Sequence, residues 1–149
     1  MYEVAAEQAW ELFGDFLDGS PEATFCAVAA GPLGAQARCA LESTAEALGY
    51  GKDAFVLVRL HAGDAALDPQ ALFLLLEGID PLCLVTADRE SSEAFARAYR
   101  CTLGFDGQQR VFGRPCVAFE SFESMLGSEA DKQKAWALLK KLPRFGEVR

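Results

Sequence analysis

TFCAVAAGPLGAQARCALESTAEALG, residues 24–49, decides the fold. Its opening TFCAVAAG (24–31) is apolar without alternation, the pattern of a strand buried on both faces. Gly31-Pro32-Leu33-Gly34 ends that run, and a helix from Ala35 to Leu48 follows, closed by Gly49. A doubly buried strand that leads straight into a helix is half of a βαβ unit.

The same alternation continues along the chain. AFVLVRLHAG (54–63) predicts a second strand, and DPQALFLLLEG a helix opened by Asp68 as N-cap with Pro69 in the first helical position. LCLVTAD (82–88) predicts a third strand, followed by a helix that Ser91 or Ser92 caps and that runs to about Arg100. TLGFDGQQRVFGRP is rich in turn residues and reads as a loop or hairpin. CVAF (116–119) is the fourth strand, and a last helix spans about 128–142, stopped by Pro143. Upstream, residues 2–18 predict a helix with Val4, Trp10, Phe13, Phe16 and Leu17 at helical spacings and Gly19 as its stop. These elements predict one α/β domain over 1–149, a three-layer α/β/α sandwich around a four-stranded parallel sheet.

Composition narrows the function. A chain of 149 residues with 51% hydrophobic and 24% charged residues suits one soluble globular domain with a sizeable core. No signal-like or membrane-spanning run occurs in the sequence, so a cytoplasmic protein with no membrane association is expected. The five cysteines, at 26, 39, 83, 101 and 116, include no Cys-x-x-Cys pair, so neither metal nor cofactor is expected. Cys26, Cys83 and Cys116 lie in apolar runs and read as reduced core thiols. The net charge of −8 is unevenly placed: residues 132–149 carry six Lys/Arg against one acid, and residues 1–131 eight against 21. An acidic body repels a phosphate backbone, which leaves a small molecule or a protein as the expected partner instead of a nucleic acid.

Ligands of parallel α/β sheets bind beyond the C-terminal ends of the strands. Four loops lie there, and they supply Gly31, Pro32, Gly34, Arg59, His61, Ser121 and Phe122 as candidate ligand-binding residues. The first is neither a dinucleotide fingerprint nor a Walker loop and reads as a tight turn, with anion binding as the alternative. His61, the single histidine, and Glu120 are the candidate acid–base residues. Asp88-Arg89 reads as a solvated surface pair, and Glu120 with Glu123 as charge complementing a helix N-terminus. Phe112, Phe119 and Phe122 offer a stacking wall for a base or, alternatively, core.

Across residues 24–142 the order of elements resembles the uracil-DNA glycosylase superfamily, especially its small bacterial branches. VAAGPLGAQA is similar to that family's first strand and its G-E-x-P-G type loop. LFLLLEGIDPLCLVTADRESSEAFA resembles its helix, I-x-P turn, third strand and next helix. GQQRVFGRPCVAFESFESMLGSEADKQKAWALLKKL resembles its hairpin, fourth strand, H-P-S loop and closing helix, with Lys132 and Trp136 at the expected spacing. The resemblance implies strand order 2-1-3-4.

It also implies catalytic groups that this chain lacks. Ala30, Pro32 and Leu33 stand where the family carries a water-positioning polar residue, and Val58 or Arg59 near its uracil-pairing asparagine. Glu120 or Ser121 replaces the histidine that stabilises negative charge on the departing base. A carboxylate there repels that charge. The expectation is a non-catalytic glycosylase-like domain that binds a small molecule or protein at the strand ends. The alternatives are a divergent nucleobase glycosylase using His61 or Glu120, and a generic flavodoxin-like nucleotide-binding domain.

Overall fold

The computed structural model describes residues 2–51 and 53–146, with side-chain surroundings from residue 7 onward. Helix α1 (Tyr2–Phe13) passes through a single 3-10 turn (Gly14–Phe16) into strand β1 (Leu17–Gly19). The expected 2–18 helix is therefore too long: Gly14 breaks it, and Phe16 and Leu17 leave the helical register. Val4, the first residue of its expected apolar face, lies outside the described side chains.

β2 (Phe25–Ala29), α2 (Ala35–Ala47) and β3 (Phe55–Arg59) follow, the helix ending before Gly49 at φ +91°. β4 (His61–Ala62), within the segment expected to continue the second strand, instead forms a separate small hairpin with β5 (Ala65–Ala66) just beyond it. α3 (Pro69–Ile79) starts on Asp68, whose carboxylate accepts the Ala71 N–H at 2.8 Å. Then come β6 (Cys83–Thr86), α4 (Arg89–Tyr99), β7 (Gln109–Val111) and β8 (Arg114–Ala118). A one-turn helix α5 (Phe122–Met125) and α6 (Glu129–Leu139) close the fold, α6 being N-capped by Ser128 and ending three residues short of Leu142.

The sheet has six strands in the order β1-β3-β2-β6-β8-β7, not four. β3, β2, β6 and β8 pair in parallel, and β1 and β7 add antiparallel edges, so the sheet is mixed. Sequence pattern misses the edges because each is only three residues long and largely polar. The β7–β8 hairpin turns on Phe112 and Gly113, both at positive φ (+52° and +78°). A phenylalanine is strained there by roughly 1–2 kcal/mol. Its ring lies edge-on to Tyr99 at 5.1 Å and Phe73 at 5.8 Å, contacts that offset the strain.

Alternating strand residues divide the core. Phe25, Ala27 and Ala29 point to the face covered by α2, α5 and α6, where Leu41, Phe122 and Leu139 join them. Cys26 and Val28 point to the other face, under α1, α3 and α4, with Leu72, Leu75 and Phe95. Every β2 residue is buried, which accounts for the unbroken apolar run. The path from β2 to β3 crosses the α2 face, and the paths from β3 to β6 and β6 to β8 cross the other. That change of face marks the topological switch point between β2 and β6, the customary place for a ligand.

Candidate functional site

The switch-point loops are bonded to each other. Asp88, just past β6, accepts the Ala30 N–H just past β2 on Oδ2 at 2.9 Å. Its Oδ1 accepts the Ser91 N–H at 2.8 Å, and Ser91 Oγ lies 3.2 Å from the Asp88 N–H, a reciprocal capping box that starts α4. Asp88 is thus a partly buried N-cap, not half of a solvated pair with Arg89. It displaces Ser91 and Ser92 from the expected capping role. Ser92 instead sits buried, its hydroxyl 2.8 Å from Thr86 Oγ1 and donating to the Asp88 carbonyl at 2.7 Å. The β6 and β8 ends remain zipped beyond the strands, with Phe119 and Phe122 donating to the Thr86 and Ala87 carbonyls at 2.8 Å.

A second carboxylate holds the other end of the glycine loop. Gly34 is the α2 N-cap and has no side chain to cap with, so the partial positive charge of the helix start is not met by its own cap residue. Glu123 Oε2 accepts the Gly34 N–H at 2.8 Å. A Cβ at position 34 would lie 2.9 Å from that oxygen, so glycine is what gives the carboxylate room. Glu123 therefore complements the N-terminus of α2 as well as lying in the first turn of α5, which Ser121 caps through the Ser124 N–H.

The two candidate acid–base residues contact adjacent residues of α4. His61 Nε2 lies 2.5 Å from Glu90 Oε2, and Glu120 pairs with Arg89, whose guanidinium also sits 5.7 Å from the centre of the Phe105 ring. Glu90 is the carboxylate in contact with His61, and no local pattern points to it because 29 residues separate them. The His61 and Glu90 side chains are 52% and 54% exposed, so the pair contributes under about 1 kcal/mol. Arg59 donates to the Asp15 carbonyl at 2.8 Å. Its Nε is buried without a partner among the described residues. Gly31 faces open space.

The stacking wall does not assemble. Phe119 and Phe122 are buried core residues in contact at 5.1 Å, whereas Phe112 belongs to the Phe73–Tyr99 cluster on the other side of the sheet. The core thiols are poor nucleophiles: burial pushes Cys83 and Cys116 up to about 12, and Cys26 in the same direction. Among the described residues, no group of three His, Cys, Asp or Glu could hold a metal ion, and no helix is long and apolar enough to cross a membrane.

A concave surface lies beside the strand ends. A groove of about 550 Å³ runs between α2 and α6, with Phe122, Ala135 and Leu139 at its floor and Cys39, Lys132 and Trp136 at its rim. Of the residues singled out from the sequence as ligand-binding, Phe122 alone lines it. The sequence does carry a trace of it: Cys39, Ala40, Ser43 and Ala47 make one side of α2 small, leaving space that α6 does not fill.

No family model matches the chain, and no curated protein matches it.

Proposed function

We propose that this chain is a non-catalytic, glycosylase-like domain that binds a small molecule or a protein partner. The Asp88–Ala30 hydrogen bond carries the reading: at the switch point, where a substrate would enter, one loop's carboxylate occupies the other loop's N–H. The remaining groups agree with it. Glu123 takes the Gly34 N–H, and Arg89 is engaged by Glu120, so carboxylates stand where donors aimed at a developing anion would be needed. Counted in chain order, the parallel strands β2, β3, β6 and β8 run 2-1-3-4 across the sheet, an order compatible with the glycosylase-like reading and equally with a flavodoxin-like one. The proposed binding surface is the α2–α6 groove, whose lining includes Gln36 near the start of α2 and Phe122 just past β8.

Purified protein incubated at low salt with a single-stranded oligonucleotide containing one uracil tests the proposal. No uracil release above background is expected. Release that disappears on mutation of a strand-end residue overturns the reading.

The His61–Glu90 contact favours a second reading, a divergent hydrolase in which the carboxylate orients the imidazole as a general base. It requires that His61→Ala and Glu90→Gln each abolish a nucleobase-releasing activity without changing the thermal midpoint. Full activity in either variant removes it.

A further inference from the structure

The α2–α6 groove combines an apolar floor with a cationic, aromatic rim. Lys132, Trp136 and Lys140 follow one another at intervals of four residues and so share one side of α6. Lys132 and Trp136 line the groove, and the Lys140 ammonium lies 5.9 Å from the centre of the Trp136 ring. The floor is Phe122, Ala135 and Leu139, all buried. The Lys132 ammonium is 3.7 Å from one carboxylate, Glu129, whose side chain is 84% exposed. Such a pair is loose, and an anion in the groove displaces it at little cost.

From these features the geometry points to a small anionic amphiphile as the ligand: an acyl or aryl body in the groove with one carboxylate against Lys132. Three observations support it. About 550 Å³ is the volume of a small-molecule site, and the α2 wall from Gln36 to Ala47 is ~16 Å long at helical rise, enough for a medium-length acyl chain. Apolar walls with a single charged group are the usual composition of such a site. The charge distribution selects a free anion: residues 132–149 carry six Lys/Arg against one acid, whereas the rest of the chain is strongly acidic and repels an anionic membrane surface. Trp136, at the rim, covers the apolar body of the ligand while Lys132 meets its carboxylate.

The ligand class rests on the reading of the domain as a binding module. The two fail differently, since uracil release would remove that reading, whereas loss of the amphiphile alone would leave it standing.

The test is a titration of the full chain carrying Trp10→Phe, so that fluorescence reports Trp136. Dodecanoate is added below its micelle-forming concentration, and dodecanol and dodecyltrimethylammonium are the neutral and cationic comparisons. Saturable change with dodecanoate is expected, at least tenfold tighter than with either comparison. Lys132→Glu and the groove-filling Ser43→Phe, both at surface positions, are each expected to weaken it at least tenfold. No saturable change, equal binding of dodecanol, or unaltered affinity in both folded variants overturns the proposal.

Discussion

Asp88 and Ala30 are 58 residues apart in sequence, and the carboxylate of one accepts the backbone N–H of the other at 2.9 Å. The bond joins the ends of β2 and β6, the two strands between which the chain reverses its direction across the sheet. A single side chain thereby caps α4 and bridges the two loops that flank the crevice in which proteins of this architecture customarily bind ligands.

Removing that carboxylate is expected to lower stability by about 1–2 kcal/mol in Asp88→Ala, through loss of a helix cap and a partly buried hydrogen bond. Asp88→Asn keeps one acceptor and is expected to recover most of the loss. Urea unfolding of the two variants beside the parent checks the ordering. Equal stability of Asp88→Ala and the parent would show that the bond does not hold the loops.

A polar cluster at the opposite end of the strands is expected to make a larger contribution. Arg114 donates to Glu77 at 3.1 Å, to Asp80 at 2.8 Å and to the Pro81 carbonyl at 2.7 Å, while the Tyr99 hydroxyl donates to Glu77 at 2.6 Å. The Arg114 side chain is only 10% exposed. Arg114→Met is expected to cost about 2–3 kcal/mol, less than breaking a fully buried pair because Glu77 and Asp80 stay accessible to water. Arg114→Lys keeps the charge but not the planar fork, so partial recovery is expected in the same unfolding assay.

Alkaline pH is expected to destabilise the fold. Burial raises Cys83 and Cys116 from an ordinary 9.0 to about 12, with Cys26 shifted the same way. Above pH 9 the unfolded chain releases these protons while the folded chain keeps them. The unfolded state then binds fewer protons, and stability falls as pH rises. Each thiol contributes a limiting slope of ~1.4 kcal/mol per pH unit. Unfolding free energy should be insensitive to these groups below pH 9 and decline from there toward 12. Cys83→Ala should show a shallower decline whatever its stability at neutral pH. An unchanged slope would contradict the assignment.

Thiol chemistry should separate the cysteines by burial. Cys39 is exposed on the groove rim, Cys101 is partly buried, and Cys26, Cys83 and Cys116 are buried. One fast equivalent with a disulfide reagent is expected, absent in Cys39→Ser, with the three buried thiols reacting only on unfolding. Rapid reaction of more than two thiols in native protein would contradict the packing described above.

The doubly buried strands and their helices were legible because each is a run long enough to show its period: β2 is apolar throughout, and Asp68-Pro69 opens α3 as its pattern requires. β1 and β7 were not legible, since three mostly polar residues at a sheet edge show no period to read. Gly14 does not stand out as the break in the first helix because the apolar residues Phe16 and Leu17 continue the helical spacing beyond it. At the site, the loops were found by their place after strands, but their contents were not. Glu123 reaches Gly34 across 89 residues, Glu90 reaches His61 across 29, and such pairings depend on tertiary placement alone. The Asp88-x-x-Ser91 spacing is the one local signal there, and it points to Asp88 as the N-cap in place of Ser91 or Ser92.

The measurement that tests the bridged crevice most directly is an amide NMR titration of the full chain with uracil, following the Ala30 and Gly34 N–H signals. Both amides are bonded to carboxylates of the chain itself, so both signals are expected to stay in place through millimolar uracil. A saturable shift of the two together would show that the crevice admits the base, and would contradict the account.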